Sequence, residues 1–455
     1  MARSAKPSFA GSNPARASTT GLKARTLKKE RSLMTISSIK AQEILASGGY
    51  PTIEVIATLA DGSKGRASVP YGASAGSHEA TVLMDGDQSR WHGKGMLQAI
   101  ANIEQKIAPM VVGLDAYDQR VLDEKMISID GTPNKANLGG NAILAVSIAV
   151  ANAAANSKKI ELFQHIVETY QTGVDLSKLP QPMVVAIEGG KHADETTDLQ
   201  EFCFSATRQN SSVAENVRMI METYHQLGKV LKENKLSTNV GNEGAFAPSG
   251  IPSNEAPFNY MLEAVKRAGY VAGQDIGFSI DAAASEFFVD GKYNLKVEKR
   301  QLSADELIAY YEAWLAKYPI ATIEDMLHED DWENWTKLQV VADKYQIPNI
   351  GDDLTVTNVE RLQKAIDTKA ISAILIKLNQ IGTLTETVDC CMLANRNGLM
   401  TTTSHRGGGE TNDATMVDVA VAVGSAFIKV GPTRGERVAK YNRLMEIERL
   451  VNGGS

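Results

Sequence analysis

The sequence predicts an α/β fold, in which a (β/α)₈ TIM-type barrel is preceded by a smaller α+β capping domain. Three observations lead to this prediction. The chain has 455 residues, which is enough for a barrel and a second domain. In its second part, short apolar runs alternate with helical stretches, as in proteins with parallel strands. Several of these runs end in a polar side chain, and in such barrels the carboxyl ends of the strands face one site.

Residues 1–33 are a basic leader with eight Lys or Arg residues and one acid. The net charge of −7 therefore combines a positive leader with a more acidic body. Two prolines and the lack of hydrophobic periodicity favour a disordered extension, which predicts a cytoplasmic protein. The Ser, Ala and Arg content is also typical of transit peptides, so organellar import directed by residues 1–33 is the alternative.

Composition excludes several classes of function. An acidic body argues against nucleic-acid binding, because phosphate contacts need clustered Lys and Arg. No apolar run approaches the ~18–20 residues that cross a membrane. The three cysteines, Cys203, Cys390 and Cys391, lack the spacing of a disulfide framework or a zinc site.

The capping domain is predicted to span residues 34–176. Segments 51–59 and 65–69 are rich in β-forming residues and are joined by an Asp-Gly turn signal, so we expect two strands. A Gly-rich loop follows at 72–77. Apolar periodicity predicts helices at 96–107, 117–126 and 140–155, the last of them Ala-rich and buried.

The barrel is predicted to span residues 177–455. Seven short runs between residues 238 and 428 are each followed by a polar residue, at intervals that leave room for a crossover helix. Because these strands would be buried on both faces and run in parallel, their ends should meet. The residues predicted to converge are Glu243, Asp281, Glu324, Asp352, Lys377, His405 and Lys429.

Three of these residues, Asp281, Glu324 and Asp352, are carboxylates on successive strands. Converging anions repel each other unless a cation neutralises them. Hard oxygen ligands suit Mg²⁺, which keeps some coordination positions for water and substrate. The sequence therefore predicts a magnesium site, with helix capping or pairing to lysines as the alternative.

Lys377 and Lys429 each end an apolar run. A lysine in a buried strand is costly unless it has a partner or a purpose. Burial and nearby cations lower the pKa of an ammonium group, which makes a lysine a candidate general base. Ion pairs with the carboxylates are the alternative for both lysines.

Long ordered motifs make the chain resemble the enolase family over residues 36–451. They include Gly-Ala-Ser-Ala-Gly-Ser-His-Glu-Ala at 72–80 and Asp-Gly-Thr-Pro-Asn-Lys-Ala-Asn-Leu-Gly-Gly-Asn at 130–141. Later motifs are Leu-Gln-Glu-Phe at 199–202, Gly-Asp-Asp-Leu-Thr at 351–355 and Ser-His-Arg at 404–406. So many matches in order identify the chain as a member of that family.

The resemblance implies the reversible, Mg²⁺-dependent dehydration of 2-phosphoglycerate to phosphoenolpyruvate, a step of glycolysis and gluconeogenesis. It implies two Mg²⁺ ions per site, and a homodimer. Lys377 corresponds to the base that removes the C2 proton, and Glu243 to the acid that assists loss of the C3 hydroxyl. The other implied roles are Asp281, Glu324, Asp352 and Ser74 for metal, Glu201 and His405 for catalysis, and His192, Glu201, Arg406, Gly407, Lys429 and Ser74 for substrate.

The chain departs from the family pattern at several positions. Gly48 replaces an Arg of the dimer interface, and Tyr71 replaces a Ser before the Gly-rich loop. Asn242 stands where an Asp precedes the acid Glu243, and Gly407 replaces a Ser expected to touch phosphate. These departures keep two alternatives open: an enolase-like protein with an altered substrate, or one that binds a ligand without turnover.

Overall fold

The computed structural model describes residues 34–72, 76–194 and 196–453. Its N-terminal part is an antiparallel three-stranded sheet, ordered β1-β2-β3, with helices against it. The strands are β1 (Ile36–Leu45), β2 (Pro51–Leu59), β3 (Lys64–Ser68) and the short β4 (Tyr71–Gly72). The helices are α1 (Leu97–Asn102), α2 (Ala108–Val111), α3 (Gln119–Asp130), α4 (Gly140–Lys158) and α5 (Leu162–Tyr170).

The helix α4 forms the core of this N-terminal part. Most of its residues are buried, and it packs against β2 and β3. The approach is close because Gly65 has no side chain: a Cβ there would lie 2.1 Å from the carbonyl oxygen of Ala149. The predicted strands and the Ala-rich helix are confirmed. The helix predicted at 117–126 begins two residues later, because the Asp118 side chain caps it by accepting a hydrogen bond from the backbone N–H of Val121.

The second part is a closed eight-stranded barrel, which confirms the predicted fold class. Its strands are β5 (Gln181–Glu188), β6 (Glu201–Ala206), β7 (Ile276–Asp281), β11 (Ile320–Glu324), β12 (Asn349–Gly351), β13 (Ala373–Ile376), β14 (Met400–Ser404) and β16 (Phe427–Val430). They follow one another around the barrel in this order. Small strands outside the barrel are β8 (Phe288–Val289), β9 (Lys292–Leu295), β10 (Arg300–Leu302) and β15 (Gly408–Gly409).

The first strands of the barrel differ from the prediction. The prediction of a strand at 238–240 is wrong, because Val240 makes only an isolated bridge and is 43% exposed. Two of its three residues, Thr238 and Asn239, are polar and none of the three is buried, so the run does not lie in the barrel wall. The hairpin of β5 and β6 supplies the first two strands instead, and β6 runs antiparallel to both of its neighbours. The expectation of an entirely parallel barrel is therefore wrong at one strand.

The reversed direction of β6 brings carboxylates together. Because β6 runs the opposite way, its first residue lies at the barrel end where the other strands finish. Glu201 is the register partner of Glu188 on β5 and of Asp281 on β7, and Asp281 is in turn the partner of Glu324 on β11. Four adjacent strands thus present a row of four acids at one end of the barrel.

Helices surround the barrel and join it to the N-terminal part. They are α6 (Val213–Glu233), α7 (Ala256–Arg267), α8 (Ala304–Leu315), α9 (Trp332–Tyr345), α10 (Val359–Thr368), α11 (Leu378–Ile381), α12 (Leu384–Arg396), α13 (Thr415–Val423) and α14 (Gly435–Val451). Buried polar contacts fix the junction: the Asp123 carboxylate accepts the backbone N–H of Thr385, and Lys135 pairs with Glu386 at 2.9 Å. Among the described residues, no helix has the length and apolarity needed to cross a membrane.

Candidate active site

One pocket at the carboxyl end of the barrel collects most of the residues that the sequence singled out. Asp281, Asp352, Lys377, His405 and Lys429 all line it. The other predicted residues on its wall are His192, Glu201, Glu243, Arg406 and Gly407. Glu324 does not line the pocket itself but contacts Lys429, which does, at 2.8 Å. Ser74 lies outside the described residues.

Lys429 is the centre of the carboxylate row. Its Nζ lies 2.9 Å from Glu201, 2.9 Å from Asp281 and 2.8 Å from Glu324. It stands within β16 rather than after it, because the strand continues to Val430. Burial alone would lower the pKa of Lys429, but the three carboxylates hold it well above its usual value. The ammonium group therefore stays charged and neutralises part of the acid row.

Asp352 and Lys377 form a second ion pair beside the first. The Lys377 ammonium group contacts the Asp352 carboxylate, whose other oxygen accepts a 2.8 Å hydrogen bond from Gln380 Nε2. Burial opposes the charge of Lys377, but Asp352 outweighs it and raises the pKa of the amine. Asp325 fixes the backbone here, because its carboxylate accepts the N–H groups of Asp352 and Asp353 at 2.9 and 2.7 Å.

The chemistry of this donor set fits Mg²⁺. Asp281, Glu324 and Asp352 end or follow three neighbouring strands and are all nearly buried. Burial, and next the charge of Asp281, raise the pKa of Glu324 well above its usual value. A bound cation would favour the ionised carboxylate and so oppose both effects. Among the described residues, the carboxylate oxygens that lie within 4.8 Å of one another here are those of Asp325, Asp352 and Asp353. Of the predicted trio only Asp352 belongs to this group, because Asp281 and Glu324 contact Lys429 instead. The site therefore offers several buried carboxylates to a hard cation.

A second cluster joins two histidines to two glutamates. His192 Nδ1 lies 3.2 Å from Glu201 and 3.5 Å from Glu243, and His405 Nε2 lies 3.3 Å from Glu243. Burial disfavours a charged His192, but Glu243 and Glu201 raise its pKa to about 9. Burial likewise opposes the charge of Glu243, but His405 and His192 hold the pKa of that carboxyl well below its usual range.

Buried polar atoms in this cluster point to a ligand. Within the described part of the chain, Glu243 Oε2 and His405 Nδ1 have no hydrogen-bond partner, although they are inaccessible to solvent. Buried polar groups are normally paired, so unpaired ones at one place indicate groups held ready for a substrate. The cluster can therefore exchange a proton with, or donate hydrogen bonds to, a bound anion.

Arg406 is a third cation of the pocket, besides Lys377 and Lys429. Its guanidinium group lies 2.9 Å from the carboxylate of Glu79, which belongs to the N-terminal part of the chain. Its backbone N–H donates to Glu410 at 2.9 Å. Burial would lower the pKa of Arg406, but Glu79 raises it, so the charge persists in the pocket. A cation that already has one partner can still bind an anion of a substrate.

Several site residues were missed by reasoning from the sequence. Glu79, Asp325, Asp353 and Gln380 hold the predicted residues in place, and Glu188 lies under the loop that carries Glu243. Asp325 and Asp353 each follow a predicted metal ligand, and that adjacency is the signal that could have found them. Glu79 and Gln380 have no such signal, because they reach the site from elements that do not belong to the barrel strands.

A β/α barrel in which lysines and carboxylates meet at the strand ends defines a class of enzyme that binds anionic substrates with the help of a cation. Comparison with family models agrees. The model described as "Enolase, N-terminal domain" matches residues 36–166, and "Enolase, C-terminal TIM barrel domain" matches residues 176–454. The chain belongs to the enolase family. This family generally binds Mg²⁺, and its domains indicate a lyase or hydratase.

Proposed function

We propose that the protein catalyses the reversible dehydration of 2-phosphoglycerate to phosphoenolpyruvate with Mg²⁺. One observation carries the proposal: the candidate base Lys377 and the candidate acid Glu243 line the same pocket as Lys429 and Arg406. The reaction needs a proton removed from C2 and a hydroxyl lost from C3, while negative charge accumulates on the carboxylate. The pocket offers a separate candidate group for each of these tasks.

Lys377 is the candidate base for the C2 proton. That proton is weakly acidic, because its removal leaves a dianionic carboxylate. Lys429 and Arg406 supply fixed positive charge in a buried pocket, where such charge stabilises an anion strongly. Mg²⁺ held by Asp281, Glu324 and Asp352 would add further positive charge for the same anion. Because Asp352 raises the pKa of Lys377, any partner that competes for Asp352 favours the neutral amine that a base requires.

Glu243 is the candidate acid for the C3 hydroxyl. An acid must carry a proton when it acts, whereas His405 and His192 hold the pKa of Glu243 low. His192, with its pKa raised to about 9, carries a proton at neutral pH and lies 3.5 Å from Glu243. The proton that leaves with the hydroxyl is therefore stored in this cluster of His192, Glu201, Glu243 and His405.

Replacement of the base tests the proposal. Wild-type protein mixed with Mg²⁺ and 2-phosphoglycerate should produce phosphoenolpyruvate, followed by its ultraviolet absorbance. Lys377→Ala should lower kcat by about 10²–10⁴-fold, because a positioned base contributes that much. Lys364→Ala is the matched control, since Lys364 is an exposed lysine of α10, and it should keep the wild-type rate. A Lys377→Ala variant with the wild-type rate would contradict the mechanism.

Gly407 favours a second candidate, a related enzyme that acts on a different acid. At this position the chain offers no hydroxyl to a phosphate group. If 2-phosphoglycerate gives no product, other 2-hydroxy acids and phosphorylated acids should be assayed under the same conditions. Turnover of one of them above that of 2-phosphoglycerate would support this candidate. Mg²⁺-dependent binding of 2-phosphoglycerate without product would instead support a binding protein.

A further inference from the structure

Glu188 is a fully buried acid that the proposed mechanism does not use. It is the last residue of β5, and its exposed fraction is 0%. A buried carboxyl group is costly unless its oxygens are satisfied. Here the satisfying groups are backbone N–H groups of the loop that carries Glu243: Glu188 Oε1 accepts from Ala245 at 2.7 Å and from Glu243 itself at 3.1 Å.

The contact between Glu188 and this loop is tight. Glu188 Oε2 lies 3.0 Å from the same Glu243 nitrogen. A Cβ at Gly241 would lie 2.4 Å from Oε2, so glycine is required there for the loop to approach. The backbone adds to the contact, because the N–H of Glu188 donates to the carbonyl of Phe246 at 2.8 Å. The side chain and backbone of Glu188 thus hold Glu243, Ala245 and Phe246 of the segment 241–246.

The same residue connects Glu243 with His192. The carbonyl oxygen of Glu188 accepts a 3.0 Å hydrogen bond from Thr196 Oγ1, beyond the turn that carries His192. The loop bonds to that turn directly, since the N–H of Asn242 donates to the carbonyl of His192 at 3.1 Å. Glu188 therefore lies where the loop that carries Glu243 meets the turn that carries His192. Its contacts fix the position of Glu243 relative to His192.

We propose that Glu188 is a positioning residue, whose carboxyl group holds the backbone N–H groups of Glu243 and Ala245 and so aims the Glu243 carboxyl group into the pocket. This role rests on the proposed function of Glu243 as the acid.

The electrostatics agree with this arrangement. Burial, and next the charge of Glu243, raise the pKa of Glu188 to about 8. The other titratable groups near it are His192, which lowers that pKa, and Tyr224, whose own pKa is raised by its burial and by Glu188. Near neutral pH Glu188 therefore carries a proton while Glu243 is ionised. With that proton on Oε2, Glu188 Oε1 still accepts the N–H groups of Glu243 and Ala245.

Two substitutions at Glu188 test its role. Glu188→Ala removes the acceptor and should lower kcat about 10²-fold, because a small misplacement of a reacting group has an effect of that size. KM for 2-phosphoglycerate should change less than about threefold, since Arg406 and Lys429 do not contact Glu188. Glu188→Gln keeps an oxygen for both N–H groups and should restore kcat to within about tenfold of the wild-type value. Equal loss in both variants, or no loss in Glu188→Ala, would overturn the proposal.

Hydrogen exchange separates this proposal from the proposed function, because it needs no turnover. Amides of the segment 241–246 should exchange at least about tenfold faster in Glu188→Ala than in wild type, and near the wild-type rate in Glu188→Gln. Asp130→Ala is the matched control: Asp130 is a buried acid that accepts the N–H of Leu138 in the N-terminal part, at 2.6 Å. Its loss should leave this segment and kcat unchanged. Unaltered exchange in Glu188→Ala would overturn the positioning role, whatever the enzyme's substrate.

Discussion

Gly407 is a residue whose missing side chain shapes the site. A Cβ at this position would lie 2.6 Å from His192 Cε1 and 2.7 Å from Glu243 Oε1. These distances are shorter than van der Waals contact, so His192 can occupy its place between Glu201 and Glu243 because residue 407 is glycine. The departure from the family's serine is therefore linked to the position of a histidine that the resemblance assigns to the substrate site.

Introducing at 407 the serine that the family resemblance leads us to expect should lower the activity of the protein. Gly407→Ser should push His192 away from Glu243 and lower kcat about 10²-fold, which steady-state kinetics with 2-phosphoglycerate would measure. Gly435→Ser is the control, because a Cβ at Gly435 meets no atom within 4 Å. A Gly407→Ser variant with lower KM and unchanged kcat would mean that His192 moves freely and that the glycine only weakens phosphate binding.

The two-stranded ribbon of β4 and β15 is an element that no sequence pattern predicted. Gly72 pairs with Gly408, and Tyr71 pairs with Gly409. The Tyr71 ring lies directly on Gly409, where a Cβ would be 2.5 Å from three ring carbons. The ribbon joins the start of the Gly-rich loop to the segment after Arg406. Tyr71, which replaces the family's serine, thus fills space that the glycines leave.

Gly48 packs closely against the ribbon strand β15. A Cβ at Gly48 would lie 2.6 Å from the carbonyl oxygen of Gly408, so the arginine that the family resemblance leads us to expect does not fit in this conformation. Ser47 fixes the contact, because its Oγ donates to Gly408 O at 3.1 Å and its N–H donates to Glu410 O at 2.8 Å. The homodimer implied by the resemblance stays a prediction, and an arginine at 48 cannot contribute to it.

Substitutions in the ribbon should be coupled. Gly409→Ala should lower the free energy of unfolding by about 1–3 kcal/mol, because the added methyl group overlaps the Tyr71 ring. In Tyr71→Ser the same methyl group has room, so the effect of Gly409→Ala should shrink by about 1 kcal/mol or more in the double variant. Urea unfolding of the four proteins measures this coupling. Additive effects would show that the ring and the glycine do not depend on each other.

At the scale of the whole molecule, part of the excess of acidic over basic residues lies at one end of the barrel. The body of the chain is negative, and the row of acids at the barrel end is buried with Lys429 as its central cation. Glu324 has its pKa raised by burial and by Asp281, so the folded state keeps unfavourable interactions that a divalent cation would remove. Binding of Mg²⁺ should therefore stabilise the folded protein as a whole.

Mg²⁺ should raise the unfolding temperature of the protein. A cation that binds the folded state alone adds about 2.7 kcal/mol when its concentration is 100 times its Kd. Differential scanning fluorimetry with MgCl₂, and with NaCl at equal ionic strength, should show a shift for Mg²⁺ that a chelator reverses. Asp352→Asn should abolish most of the shift, whereas Asp130→Asn should keep it. A shift of the same size in Asp352→Asn would exclude Asp352 as a ligand.

The sequence predicted much of the barrel, and it failed where strand direction mattered. Runs ending near Asp281, Glu324, Asp352, Lys377 and His405 are strands, because continuous apolar runs mark strands buried on both faces. The hairpin that carries Glu188 and Glu201 was not predicted, since an antiparallel strand inside a parallel barrel leaves no regular interval in the sequence. The strand predicted at 238–240, before Glu243, is a loop, because that run is mostly polar and none of its residues is buried.

By itself the sequence determined the fold class, the family and the chemical types of the groups in the pocket. These follow from local patterns, namely apolar runs, turn signals and long motifs. Such patterns can be read from the sequence without knowing which residues are in contact in the folded protein. The tertiary structure alone decided which groups touch. It placed Lys429 among three acids, His192 against Gly407, and Glu188 beneath Glu243. Contacts between residues tens to hundreds of positions apart depend on strand order and register, and neither is written in a local pattern.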